Sequence, residues 1–233
     1  MNLDSLLSFQ GHIVWLSITL AAYVLSLILY QKANSHPALH PLIISSTLII
    51  CSLFALDVVI EDYLNYVWLL AFLLGPATVA LAIPLYNQLA VLIRMGWRVV
   101  APIFIGGTIA PILAWLSVYF FDTPVALQMT VLVKSITTPL AMGTAEAIGG
   151  IGSLAAVLVV LTGIVGAVFA PLVFQLAKTH SEMAQGVALG TVAHAVGTSK
   201  AISISETCAA FATLSVCLNG IVTALMLPLL FAS

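Results

Sequence analysis

Residues 152–177 read GSLAAVLVVLTGIVGAVFAPLVFQLA, a stretch without one charged side chain, closed by Lys178. A helix needs about 20 apolar residues to cross the hydrocarbon core of a bilayer, so this stretch is long enough to span alone. The pattern recurs outward in both directions. Residues 12–31 form an apolar run ending at Lys32. A second run, 37–60, carries Asp57 near its end; a third, 63–93, is long and uncharged; a fourth, 99–121, stops at Asp122. Downstream, 183–206 is rich in small residues and holds His194 and Lys200, and 207–232 closes the chain.

Composition agrees. The 233 residues include six Lys+Arg and eight Asp+Glu, and 62% are hydrophobic against 6% charged. Soluble domains carry roughly 25% charged residues, so this chain cannot cover a water-facing surface. A soluble enzyme, a disordered chain and a nucleic-acid binder are excluded, the last also by a formal net charge of −2. A β-barrel would show alternating segments of about ten residues, whereas these runs are continuous. The expected fold is an all-α polytopic membrane protein, taken as one domain over 1–233. Cys51, Cys208 and Cys217 lie inside apolar runs without CxxC spacing or a His/Cys cluster. No metal or cofactor is expected. The leader MNLDSLLSFQ has Asp4 and no Lys or Arg, so the first run reads as a retained helix. Trp15, Trp68, Trp97 and Trp115 fall mostly near the ends of runs, as an interfacial belt places them.

An internal repeat is visible. Thr78-Val79-Ala80-Leu81-Ala82-Ile83-Pro84 aligns with Thr191-Val192-Ala193-His194-Ala195-Val196-Gly197, four of seven identical, at an offset of 191 − 78 = 113. The same offset lays Ile105-Gly106-Gly107-Thr108-Ile109 on Leu218-Asn219-Gly220-Ile221-Val222. The expected copies are about 12–121 and 123–233. Loop charges reverse sign between them: Glu61 and Asp62 correspond to the neighbourhood of Lys178, Arg94 and Arg98 to that of Glu206. Positive loops prefer the cytoplasm, so the copies are expected upside down relative to each other, as in many secondary transporters. The count closes at about seven crossings if 123–150, broken by Thr137-Thr138-Pro139 and Gly149-Gly150, enters and leaves on one side as a re-entrant hairpin. The N-terminus is then outside and the C-terminus inside.

The matched runs are where broken helices are expected. Gly75-Pro76 and Pro84 bracket Thr78 and Val79; Gly190 and Gly197 bracket Thr191 and His194. Proline removes a donor and disturbs the preceding turn, and a new helix N-terminus offers free amides and a positive dipole end to an anion. Lys134, between Leu132-Val133 and Ser135-Ile136-Thr137-Thr138, costs about 3 kcal/mol at a helix centre. It reads either as a cation for an anionic ligand, with the Thr137 and Thr138 hydroxyls as donors, or as a lysine snorkelling to an interface. Glu146 reads as a proton carrier, a partner for Lys134 or a solvated acid. His194 titrates near neutral pH and reads as a proton relay, a neutral donor or a packing residue. Gly197 and Thr198 lie between it and Lys200, a second contact for a carboxylate, with Glu206 as that lysine's partner. Asn219 and Asn87 read as helix–helix hydrogen bonds. No catalytic motif is present, so no enzymatic activity is expected.

Three motifs in order carry a resemblance: Gly75 to Tyr86, Lys134-Ser135-Ile136-Thr137-Thr138-Pro139, and Ala188-Leu189-Gly190-Thr191 with His194, Gly197 and Thr198. The chain resembles the LrgB/CidB family over about residues 10–232. The resemblance implies a bacterial inner-membrane protein, described in that family as antiholin-like, linked to murein hydrolase export and autolysis, and paired with a small holin-like membrane protein of the LrgA/CidA type. A plastid relative carries glycolate and glycerate. Lys200 stands where the family is associated with arginine, and lysine lacks the bidentate fork. Ala193 stands where serine often precedes the histidine. Two functions are therefore expected: a secondary transporter of small monocarboxylates (glycolate, glycerate, lactate or pyruvate) acting by alternating access, or an antiholin-like regulator that transports nothing. A homo-oligomer is open to either.

Overall fold

The computed structural model describes residues 3–33, 39, 41–80, 82–87 and 89–231, and among these every regular element is helical. The chain forms two compact units, residues 1–76 and 77–233.

The first unit holds α1 (Leu3–Lys32), α2 (Pro41–Ala55), α3 (Ile60–Tyr66) and the start of α4 (Trp68–Ala80). The run 37–60 is not one straight rod. Asp57 takes φ 52, in the left-handed region, and α2 and α3 meet at 116°. Trp15, Leu53 and Val67 form the core of this unit. Trp15 lies edge-on to Tyr63 at 5.5 Å between centroids, so it is turned inward and not toward an interface. Trp68 and Trp97 open α4 and α7 and are exposed, as a belt requires.

The second unit continues with α5 (Ala82–Asn87), α6 (Leu89–Met95), α7 (Trp97–Tyr119), α8 (Val125–Leu132), α9 (Thr138–Ala147), α10 (Gly152–Leu176), α11 (Glu182–Ile202) and α12 (Glu206–Phe231). Among the described residues, four helices are long and apolar enough to cross a membrane: Gln10–Lys32, Trp97–Tyr119, Gly152–Leu176 and Glu206–Phe231. The bent pair α2–α3 makes a fifth if it counts as one span. Large apolar side chains lie on the outside, Phe54 at 84% and Leu229 at 80% exposure; such an exterior suits lipid and not water. The protein is a multi-pass membrane protein.

Residues 63–93, read as one span, are interrupted at Val67, where α3 ends and α4 begins. Helix α4 runs through Gly75 and keeps Pro76 inside it, so the chain does not unwind at that dipeptide. Helical residues are described up to Ala80 and again from Ala82; Leu81, the partner of His194 at the offset of 113, lies outside the described residues.

Residues 123–150 fold back. Helix α8 runs antiparallel to α7, with Trp115 Nε1 donating to Gln128 Oε1 at 3.2 Å. It ends at Leu132, Val133–Thr137 are non-helical, and α9 follows. The chain that leaves α9 returns beside α8, where the Ile151 amide donates to Thr130 Oγ1 at 2.9 Å. The two short helices are a hairpin with its tip at residues 133–137.

Helix α11 also folds back, although 183–206 was expected to cross. His194 has φ 40 and ψ −128 inside it, a backbone conformation unfavourable for a residue with a side chain. A straight helix of 21 residues is about 30 Å long, yet Gln185 and Lys200 line one small cleft of about 300 Å3 with Thr179 and His180. A Cβ on Gly197 would strike the Leu189 carbonyl, and Ala201 packs with Leu189 and Ala170. Residues 182–193 therefore go in, the chain turns at His194, and 195–202 come back.

Glycines permit this second hairpin. Gly186 faces the Cys208 carbonyl and Gly190 the Ala212 carbonyl, each closer than any side chain allows. The arm 182–193 thus runs parallel to α12 at backbone contact, the small-residue packing used between membrane helices.

Helices α7 and α12 also run in the same direction. Val99 and Ile103 pack with Phe211 and Leu214, Gly107 meets Asn219, and Trp115 joins the cluster that holds Leu227. The offset of 113 pairs these two helices, and they point the same way, so this pair does not bear out the upside-down relation drawn from loop charges. Folding α11 back removes one crossing, and with it the change of direction.

Candidate functional site

The two hairpin tips meet. Helix α10 passes from Gly152 beside the first hairpin, through Ala155 and Val159 in its core, to Gly163 and Gly166 beside His194 and Ala193. The hairpins are therefore inserted from opposite ends of α10 and approach each other near its middle. Irregular backbone at such depth is tolerated only where it is buried in protein. Here Val133, Ser135, Ile136, Thr137, Thr191, Ala193 and His194 are all buried.

Asn219 of α12 joins the tips. Its Nδ2 donates to the Ser135 carbonyl at 3.0 Å and to the Thr191 carbonyl at 3.1 Å. From the sequence Asn219 reads as a helix–helix bond; the available signal is that the offset of 113 aligns it with Gly106 of the Gly106-Gly107 pair. Gly106 lies against Thr191, and Gly107 against the Asn219 oxygen, so α7 approaches both closely for want of side chains. His194 Nε2 pairs with the Val159 carbonyl at 2.9 Å, and its ring fills the space left open by Gly163. The ring thus pins the second tip to α10. Thr198 Oγ1 donates to the His194 carbonyl at 3.0 Å, bracing the turn from the returning arm.

Two hydroxyls remain. Thr137 Oγ1 and Thr191 Oγ1 are buried and, among the described residues, have no hydrogen-bond partner. Thr137 is the N-cap residue of α9 but its side chain makes no capping bond. The amides of Thr138 and Leu140 belong to the first turn, where a helix leaves donors unused, and Pro139 has none to give. Lys134 at the same tip is part-buried. Its Nζ donates to Ser135 Oγ at 3.2 Å. Each tip thus carries an orphan hydroxyl, and the first also carries a cation and a positive helix end. Such a set can accept a small anion.

The remaining candidates are placed elsewhere. Lys200 is exposed, in the cleft with His180 at the open end of the second hairpin. Glu206 is exposed in the first turn of α12. Glu146 is exposed in the last turn of α9, about 13 Å along that helix from its start, with its carboxylate packed on Gly152. None of the three is at the tips. Gly197 is in the returning arm against Leu189. Val79 is 73% exposed, and the side chain of Thr78 lies outside the described residues. Asn219 also sits at one end of a largely apolar cavity of about 600 Å3 between α7, α8 and α12, lined by Phe104, Pro111, Met129, Val222 and Leu227. Among the described residues no group of His, Cys, Asp and Glu could hold a metal ion.

Protein YwbG of Bacillus subtilis (strain 168), which carries the label uncharacterized, is 34% identical over 94% of this chain and 97% of its own length. Protein YxaC of the same organism is 32% identical over 93% and 94%. A relative from Bacillus mycoides named antiholin-like protein LrgB is 27% identical over 91% and 92%. No solved structure matches. The model of the LrgB-like family matches residues 19–233, and with that coverage the chain belongs to the LrgB-like family.

Proposed function

We propose that this membrane protein binds a small monocarboxylate (the glycolate, glycerate, lactate or pyruvate class) between its two hairpin tips and moves it across the bilayer by alternating access. One observation carries the reading: each tip buries a hydroxyl that finds no partner, Thr137 on one and Thr191 on the other. A buried polar group without a partner costs about 1–3 kcal/mol, and a bound ligand oxygen would remove that cost. Lys134 supplies the charge and the first turn of α9 supplies amides. The finer topology belongs to the same reading. The first hairpin with α10 and the second hairpin with α12 form two units of opposite direction within 125–231, the arrangement in which broken helices place a site at the midplane.

A second reading has its own support. Relatives across nearly the whole chain bear the name antiholin-like protein LrgB, and those names favour an antiholin-like regulator of murein hydrolase export and autolysis, acting with a small holin-like partner of the LrgA/CidA type. In that role the protein needs partner-facing helices, and nothing need bind at the tips.

Uptake of labelled glycolate and pyruvate into liposomes holding the purified chain separates the two. Saturable uptake that falls at least tenfold in Thr137→Val or Lys134→Ala supports the carrier. Uptake equal to empty liposomes for every small carboxylate, with a folded protein, leaves the regulator.

A further inference from the structure

We infer that Asn219 is the residue that sets the distance between the two hairpin tips, and so the size of anion that fits between Thr137 and Thr191; this rests on the carrier reading. Asn219 is 4% exposed, and Nδ2 donates both bonds, one to each tip. The orientation of the amide follows from chemistry. Both acceptors are backbone carbonyls, so a flipped amide would set its oxygen against two others. The oxygen faces the bare Cα of Gly107, where a side chain on α7 would displace it.

Three features make this a spacing device and not ordinary packing between helices. The two carbonyls come from different hairpins, 135 and 191, inserted from opposite ends of α10. Each is close in sequence to an orphan hydroxyl: Thr191 carries one itself, and Thr137 is two residues from Ser135. The carbonyls lie in or beside the broken segments, where the helical ladder is interrupted. One planar NH2 group holding both fixes their separation to within about 6 Å, twice a hydrogen-bond length. A longer or shorter connector would alter the gap between the two carbonyls directly. Asn219 touches no proposed ligand atom; it is a positioning residue.

The test uses the full chain in vesicles, with Cys51→Ser and Cys217→Ala and with native Cys208, buried beside Gly186 at the neck of the second hairpin, kept as an internal control. Thr137→Cys and, separately, Thr191→Cys serve as reporters for a small neutral methanethiosulfonate. Asn219→Asp and Asn219→Leu keep the size of the side chain and abolish the paired donation. Both should speed labelling of the reporters at least tenfold and leave Cys208 unchanged. Gly107→Ala, which pushes the amide aside without altering Asn219, should act in the same direction and covers the case of an Asn219 variant that fails to fold. Reporters unchanged in all three variants, or Cys208 accelerated equally, would overturn the inference. In parallel, Asn219→Asp should raise the KM for glycolate at least tenfold and narrow the preference between two-carbon and four-carbon carboxylates, with Vmax changed less. An intact KM and preference would overturn the spacing role. If the parent chain takes up nothing, the carrier reading fails, and the labelling rates still decide whether Asn219 holds the tips.

Discussion

Replacing Gly190 by alanine tests the folded-back α11 most directly. In the structure the arm 182–193 lies on α12 at backbone contact. A Cβ on Gly190 would sit 2.9 Å from both the carbonyl carbon and the Cα of Ala212, and closer still to that carbonyl oxygen. Carbon–carbon contacts are comfortable at about 3.5–4.0 Å, so the arm must retreat by about 1 Å. The obstacle is main chain, and no rotamer relieves it. Overpacking of this kind costs about 1–3 kcal/mol. Glycine to alanine in a helix also gains about 1 kcal/mol of propensity, which blurs the net effect. Gly143 in α9 provides the control, because a Cβ there meets nothing within 4 Å. The propensity gain is common to both variants, so their difference isolates the overpacking. At about 2–4 °C per kcal/mol for a chain of this size, Gly190→Ala should unfold about 2–12 °C below Gly143→Ala in detergent-purified protein. Ala212→Gly should not rescue it, since the clash is with the carbonyl of residue 212 and not with its methyl. Gly190→Ala unfolding at or above Gly143→Ala would refute the packing, and with it the return of the chain at His194.

Thr137→Val and Thr191→Val should leave the unfolding temperature unchanged or raise it, by up to the equivalent of about 1–3 kcal/mol, because each removes a buried hydroxyl without a partner; liposome uptake should fall in both, and a loss of stability would count against an orphan hydroxyl. His194→Ala removes the ring's bond to the Val159 carbonyl, which keeps only its intrahelical partner, and empties the space beside Gly163; it should destabilise by about 1–3 kcal/mol. His194→Gly should be the milder variant by about 1 kcal/mol, since the φ of 40 there costs glycine nothing; thermal unfolding of the pair checks it, and alanine equal to glycine would remove the strained turn. Lys134→Met should fold with no loss of thermal stability and lose carboxylate uptake at least tenfold, as a desolvated cation is removed from the tip; uptake at the parent level would take Lys134 out of the site.

The apolar runs at 12–31, 99–121, 152–177 and 207–232 became α1, α7, α10 and α12 because length and hydropathy alone decide whether a helix can lie in lipid. The hairpin at 123–150 was legible from Thr137-Thr138-Pro139 and Gly149-Gly150, which interrupt the helical ladder locally. The turn in α11 was half legible. Gly190 and Gly197 marked a break, but a 24-residue apolar stretch is equally compatible with one crossing and with two shorter arms. The choice was made by Gly186 and Gly190 meeting the carbonyls of Cys208 and Ala212, a contact between segments about 22 residues apart that no local pattern reports.

The site divides in the same way. Thr137, Lys134, Thr191 and His194 could be named from the sequence, because a polar residue inside an apolar stretch is costly and stands out. Lys200, Glu146 and Glu206 stood out equally, yet they lie at hairpin mouths and helix ends. Polarity along the chain gives no depth once a segment has turned back on itself. Sequence by itself determined that this is a helical membrane protein with a few expensive polar groups. Tertiary structure alone decided which of those groups lie on tips that meet, because Asn219 bonds two tips that are 56 residues apart in the chain (191 − 135), and only the folded hairpins bring them within reach of one amide.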